Sequence, residues 1–274
     1  MNIDLHTHSN RSDGTDTPTE LVENAKKAGL DVVALTDHDT TVGWDEAQEA
    51  ADRIGITLVK GIEVSTAIDH RSIHLLGYDI DPRDAPLLDE LRRVLDGRNG
   101  RVPKIVAAFA SIGIDITEEE ILAKSGDAGS TGRPHVADVL IDKGVVKDRS
   151  AAFDRYLQPG MPGYVGRYSV PTAQAVRLVK AAGGKAVLAH PWSRGSDKVL
   201  TQDRIVELVE AGLDGIEVDH PDHDEEQREG LRKIAATHDL IVTGSSDYHG
   251  SGKSDAFRLG ANTTDPDELE KLLG

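Results

Sequence analysis

Short apolar runs alternate with amphipathic helical patterns at both ends of this chain, and few folds satisfy that rhythm. Residues 2–5, 31–36, 56–59, 62–65 and 72–78 read as strands, and the second is too apolar for an exposed edge. Helical patterns over 17–29 and 43–54 separate the first three. Thr17-Pro18-Thr19-Glu20 opens the first of them with an N-cap and a glutamate at the capping-box position. The alternation returns near the end, where helices over 171–182, 201–211 and 224–237 each precede a strand, over 185–189, 214–218 and 240–244. A last helix covers 266–273. Repeated β-α-β units call for a parallel sheet or barrel. The middle differs: 85–95, 100–112, 117–124, 134–142 and 149–156 are helical patterns, interrupted by the Gly/Ser-rich stretch 125–132. The expected architecture is an α/β barrel built from 1–80 and 164–274, with a helical insertion at 81–163 capping its mouth.

Composition removes several classes of function. Lys and Arg number 31 against 48 Asp and Glu, a formal net charge of −17 over 274 residues. That balance disfavours a broad basic face for duplex nucleic acid, and docking on an acidic membrane. The absence of cysteine excludes disulfides, thiol catalysis, Cys-type zinc sites and iron–sulfur clusters. No apolar run approaches the ~20 residues a spanning helix needs. The first residues lack the pattern of a secretory signal, so the expected location is the cytoplasm. One stretch opposes the acidity. Between Arg92 and Lys104 five basic residues face one acid, a local charge of +4. It reads either as a solvated helix pair or as a funnel for phosphates or a short single strand.

The placement of the 11 histidines says more than their number. His6 and His8 stand where the first strand ends. Asp37-His38-Asp39 follows the second. Glu63 lies on a strand after Gly61, and His74 lies mid-strand. His190 ends Val187-Leu188-Ala189, and Asp247 and His249 follow the last strand. In a parallel barrel these ends converge on one mouth, where active sites sit. Any one such histidine is readily structural. So many strand-end imidazoles and carboxylates, however, are costly to bury without partners. Metal ions would satisfy them together, and a nitrogen–oxygen ligand set without sulfur suits Zn, Mn or Fe in a multinuclear hydrolytic site.

These motifs resemble those of the PHP (polymerase and histidinol phosphatase) domain family. The residues that carry the resemblance are Asp4-Leu5-His6-Thr7-His8-Ser9, Ser12-Asp13-Gly14, Ala34-Leu35-Thr36-Asp37-His38-Asp39, Gly61-Ile62-Glu63-Val64-Ser65, Ile73-His74-Leu75-Leu76-Gly77, Ala189-His190-Pro191 and Ser246-Asp247-Tyr248-His249. The resemblance spans nearly the whole chain and is nearest to stand-alone phosphoesterases of nucleoside 3′,5′-bisphosphates and RNA 5′ ends. It implies a distorted (β/α)7 barrel with three divalent metal ions. His6, His8, Glu63 and Asp247 resemble the ligands of one ion. A bridging Glu63 with His74 and His190 resembles those of a second, and Asp13, His38 and His249 those of a third. His70 is expected at the surface.

The resemblance also implies roles around the metals. Asp37 is the candidate to orient a ligand. His223, after the strand Gly215-Ile216-Glu217-Val218, is a candidate leaving-group proton donor. His220 and His238 read as structural or surface residues. Gly132-Arg133-Pro134-His135 opens a helix of the insertion, where Arg133 and His135 can meet an anion. Tyr164-Val165-Gly166-Arg167 resembles a Tyr-Val-Pro-Arg segment of the family with Gly in place of Pro, and Arg167 and Arg194 are further cationic candidates. The expected activity is removal of the 3′-phosphate of a nucleoside 3′,5′-bisphosphate, extending to short single-stranded RNA from its 5′ end. The alternatives are a diesterase for small cyclic phosphates, a histidinol-phosphate phosphatase, or a binding module, the last disfavoured by a complete ligand set. Duplex nucleic acid and membranes are not expected as partners.

Overall fold

The computed structural model describes residues 1–126 and 128–274. Among the described residues the strands are β1 (Ile3–Asp4), β2 (Val32–Leu35), β3 (Thr57–Ile68), β4 (Arg71–Tyr78), β5 (Val170–Pro171), β6 (Lys185–Ala189), β7 (Gly215–Asp219) and β8 (Ile241–Gly244). Seven of them curve almost into a barrel in the order β1-β2-β3-β4-β6-β7-β8, while β5 pairs on the side of β3. The first and last strands approach through a bridge between Thr7 and Tyr248, with the His8 amide donating to the Tyr248 carbonyl at 2.8 Å.

Six helices pack with the sheet: α1 (Pro18–Lys27), α2 (Trp44–Ile54), α8 (Thr172–Ala181), α9 (Gln202–Glu210), α10 (Glu225–Thr237) and α11 (Pro266–Leu273). Between β4 and β5 lie α3 (Ala85–Asn99), α4 (Val102–Ser111), α5 (Glu118–Ser125), α6 (Arg133–Asp142) and the short α7 (Arg149–Ala152). The Thr17–Glu20 capping box forms as the sequence indicates. Alternation along β2 divides the core: Val32 and Ala34 join Ile3, Leu5, Leu76 and Val187 in one cluster, while Val33 and Leu35 pack with the helices. Helices α4–α7 gather a separate apolar cluster around Phe109, Ile121, Val136 and Leu140, but α3 packs Leu87, Leu91 and Val94 into the main core.

The uniformly parallel barrel needs one correction, because β4 runs antiparallel to both β3 and β6. Its cause is local. Asp69 and His70 both take positive φ (47° and 64°), which closes a two-residue hairpin between Ile68 and Arg71. His70 is exposed at that turn. β3 also runs unbroken through Lys60-Gly61, where the sequence reads as two strands. A Cβ on Gly61 would lie 2.8 Å from the Thr36 methyl and 3.0 Å from the Tyr78 ring. The glycine is there to admit Tyr78, fully buried with its hydroxyl donating to the Leu5 carbonyl at 2.9 Å. Among the described residues no helix is long and apolar enough to cross a membrane.

Candidate metal centre

Three strand ends near the mouth carry non-glycine residues with positive φ: Asp39 after β2 (57°), His190 after β6 (28°) and Asp247 after β8 (52°). Such conformations cost on the order of 1–3 kcal/mol each and persist where the surroundings over-determine them. Here hydrogen bonds do so. The Asp39 amide donates to the Glu63 carbonyl at 3.0 Å, and the His190 amide to Glu217 Oε2 at 2.8 Å. The sharp turns aim side chains into the mouth.

Glu63 is the hub. Its Oε1 lies 2.8 Å from His74 Nδ1 and 3.2 Å from His190 Nε2. Its Oε2 lies 3.0 Å from His38 Nδ1, 3.2 Å from His8 Nε2 and 3.4 Å from His6 Nε2. Asp247 Oδ1 sits 3.4–3.7 Å from His249, His8 and His6. Asp13 Oδ1 is 3.2 Å from His249 Nε2, and its Oδ2 is 3.7 Å from His38 Nε2. All nine residues singled out by sequence converge in four groups able to hold a cation: His6–His8–Asp247, His6–Glu63–His190, His38–Glu63–His74 and His8–Asp13–His38–His249. The grouping differs in detail from the family set, since His8 joins the third group and His38 also faces Glu63. His74 reaches the mouth because antiparallel β4 puts its N-terminal half beside the C-terminal ends of its neighbours, with His74 opposite both Ser65 and Ala189.

The donor set fits divalent metal. His6 Nδ1 donates to Glu217 Oε1 at 3.0 Å, which turns its Nε2 lone pair towards His8 Nε2, also at 3.0 Å. A cation between two such nitrogens satisfies both. Among the described residues, the buried atoms His8 Nδ1, Asp13 Oδ1, His38 Nδ1 and His74 Nδ1 lie 2.8–3.9 Å from oppositely charged or ring-nitrogen neighbours without the geometry of a hydrogen bond. Burial alone would push the Glu63, Asp13 and Asp247 carboxyls up. The surrounding histidines, with Lys253 beside Asp247, hold all three well below the carboxylate range. They are therefore ionised, as oxygen ligands must be.

Two partners of this cluster escaped the sequence reading. Glu217, central in β7 and fully buried, accepts from His6, the His190 amide and the Ser245 hydroxyl. A glutamate inside an apolar strand was the available signal. His220, read as structural or surface, is buried with Nε2 at 3.3 Å from Asp247 Oδ2, an oxygen that Lys253 also contacts.

The other candidates do not join the four cation-holding groups. Asp37 is buried and spends its oxygens on the Ser9 amide and the Ser9 and Ser12 hydroxyls at 2.6–2.8 Å, so it anchors the loop that carries Asp13. His223 donates from Nδ1 to the Val218 carbonyl at 2.8 Å and accepts the Trp192 amide at Nε2, 3.3 Å away. Both ring nitrogens are engaged with the backbone and burial lowers its pKa, so the ring is held neutral. His135 Nδ1 accepts the Gly132 amide at 3.0 Å and caps α6. Arg133 donates to the Leu157 carbonyl and lies over the Phe153 and Tyr164 rings. Arg167 donates to the Tyr168 carbonyl and the Ser169 hydroxyl. Arg194 is 60% exposed and pairs with Asp222.

The +4 stretch resolves unevenly. Arg92 pairs with Asp89, Arg93 with Glu90, and Arg98 is buried on Asp39 and Ser65 at 2.7–3.0 Å. Arg101 is 5% exposed, and among the described residues its Nε has no partner. It lines, with Lys104 and Arg167, a crevice of about 490 Å³ between α3, α4 and residues 166–168.

A nearly closed α/β barrel whose strand ends collect five imidazoles around one carboxylate has the build of a metal-dependent hydrolase. Residues 4–126 match the PHP domain family. The chain is 36% identical over 252 residues to a 3′,5′-nucleoside bisphosphate phosphatase of Chromobacterium violaceum, covering 92% of this chain and 88% of the relative. It is 35% identical to a 5′-3′ exoribonuclease of Haemophilus influenzae, over 90% of this chain and 89% of that protein. A candidate metal-dependent phosphoesterase of Bifidobacterium adolescentis superposes with a TM-score of 0.93 at 39% identity, covering 99% of this chain and 95% of that one. The chain belongs to the PHP domain family and is a metal-dependent phosphoesterase.

Proposed function

We infer that the substrate is a nucleotide bearing two phosphates, a nucleoside 3′,5′-bisphosphate, and that the 3′-phosphate is the one removed. The observation that carries this is a second charged cluster beside the metal centre. No carboxylate among the described residues comes within ion-pair distance of Arg101, Arg133 or Arg167. Burial first, then the neighbouring guanidinium groups, push Arg101 down to about 8 and Arg167 to about 9; burial, with Arg194 and Arg98 nearby, takes Arg133 to about 10. A guanidinium answers such pressure by holding an anion rather than by giving up its proton. Arg98 connects this cluster to the mouth, since its partner Asp39 adjoins His38. One phosphate at the nine donors and another at the arginines matches the name of the Chromobacterium relative.

Three divalent ions, Mn, Zn or Fe, would be held by the nine residues, with Glu63 shared and with Glu217 fixing the tautomer of His6. When bound they supply positive charge for the phosphate oxygens and lower the pKa of the attacking water. The chain itself orients. Asp37 fixes the Asp13 loop, while Arg133, His135 and Arg167 receive the second phosphate at the N-terminus of α6. His223 holds the turn after β7 rather than donating a proton. Short single-stranded RNA with a 5′-phosphate presents the same second anion, and the Haemophilus relative supports it as a further substrate. The test is steady-state kinetics on 3′-phosphoadenosine 5′-phosphate. The 5′-monophosphate should accumulate; a kcat/KM no better than on p-nitrophenyl phosphate ends the assignment.

A further inference from the structure

We propose that Arg149 is a positioning residue that sets the insertion against the barrel at the Asp13–His38–His249 group. The inference rests on that group holding a metal ion. Arg149 opens α7 and is mostly buried. Its Nε and Nη2 grip both oxygens of Asp138 on α6, each at 2.7 Å. Its Nη1 crosses to the barrel and donates to the Asp13 backbone carbonyl at 3.1 Å. The same nitrogen lies against Gly252, where a Cβ would come within 2.3 Å of it. Gly252 in turn donates its amide to the His249 carbonyl at 3.2 Å. One planar guanidinium therefore touches a helix of the insertion and two of the three loops that supply this group, those after β1 and β8, which adjoin where the barrel nearly closes.

The arrangement ties the insertion to loops that already hold each other, the Thr15 amide donating to the His249 carbonyl at 3.2 Å and the Ser251 amide to the Thr15 hydroxyl at 2.9 Å. The Asp13 loop folds on itself through Gly14, whose Cβ position falls 2.3 Å from the His8 carbonyl oxygen. The His249 loop is short and contains Gly250 and Gly252. Fixing the Asp13 carbonyl fixes the direction in which its carboxylate leaves the backbone. On the other side, Asp138 lies one turn beyond His135 on α6, so the grip also sets the N-terminus that carries Arg133 and His135. A fork-shaped, bidentate donor is required to span the two sides; a lysine has the charge without the reach in two directions.

The test is metal content of the holoenzyme by elemental analysis, with thermal unfolding beside it, for wild type, Arg149→Met, Arg149→Lys and Gly252→Ala. Gly252 does not take positive φ, so alanine acts first on the guanidinium, with its Cβ 2.3 Å from Arg149 Nη1 and 3.1 Å from the His249 carbonyl oxygen; agreement with the two Arg149 variants separates the first contact from the second. Loss of one equivalent is expected in all three variants while the others stay. Chelator competition should put affinity at that site about 10- to 100-fold lower. The bisphosphate preference should fall in parallel. A merely structural arginine would lower Tm and release every ion or none. Variants that keep all their metal and their discrimination overturn the proposal, even with a lower Tm. A wild type without transition metal overturns the metal-centre reading and the proposal with it.

Discussion

The barrel mouth and the arginine cluster of the insertion carry opposite charge, and they are satisfied in different ways. At the mouth, Asp13, Glu63, Asp247 and Glu217 face imidazoles at 2.8–3.9 Å, and each group has several partners of opposite or adaptable charge. In the arginine cluster, Arg133 and Arg167 spend donors on neutral carbonyls and hydroxyls, and among the described residues the Nε of Arg101 is unused. The mouth calls for cations and the insertion for an anion. A doubly phosphorylated ligand with its metals answers both at once, which neither region reveals alone.

The comparison breaks most visibly at Glu63. Its two oxygens reach five histidines, so among the described residues no other side chain at the mouth is shared so widely. Glu63→Gln keeps the volume and removes the charge. A metal contribution of several kcal/mol corresponds to a fall of about a thousandfold or more in kcat/KM, accompanied by loss of metal. Near-normal turnover with full metal content would remove Glu63 from the centre. The unmodified protein offers a second test. Stripping metal with a chelator should abolish activity and lower Tm by roughly 5–10 °C, since saturation at about a hundred times Kd is worth about 2.7 kcal/mol. An unchanged Tm would mean that the histidine–carboxylate contacts suffice without ions.

Arg101 sharpens the other side. A buried, unpaired charge destabilises the fold, so Arg101→Met should leave Tm unchanged or raise it. The same change should cost about 10- to 100-fold in preference for a bisphosphate over a monophosphate, the worth of one or two charge-assisted hydrogen bonds. Stability and selectivity moving in opposite directions is the signature of a site kept for a ligand. If Tm falls and selectivity holds, Arg101 is structural, and the contrast between the two regions loses its basis.

The two regions were also unequally legible. His6, His8, His38, His190, Asp247 and His249 stand at strand ends, and an alternating pattern announces strand ends. The antiparallel turn at Asp69-His70 was not announced, because neither residue is glycine, and so the route by which His74 reaches the mouth stayed hidden. Glu217 stands out only as a glutamate inside an apolar strand, and its role stays hidden because it depends on His6 and the His190 amide, which only the closed barrel brings to it. In the insertion, the local charge of +4 drew attention to Arg92–Lys104 as a whole. Which of those cations is free depends on Asp89, Glu90 and Asp39, and only the packing of α3 brings Asp39 to Arg98.

The smallest expected effect belongs to Arg194, which sequence placed among the substrate-binding cations. It lies on the β6 side of the mouth, where a positive φ of 52° directs it and Asp222 holds it at 3.4 Å. That ion pair is solvent-screened, and such pairs contribute between about 0 and 1 kcal/mol. Arg194→Ala should therefore shift kcat/KM for the bisphosphate by less than about fivefold, the most that 1 kcal/mol allows, and leave the discrimination against monophosphate intact. Assays at two ionic strengths decide whether the small effect is long-range steering, which salt removes, or contact, which salt spares. A loss as large as that at Arg101, persisting at high salt, would extend the anion site across the mouth to β6. The contrast would then run between the two faces of one cleft rather than between barrel and insertion.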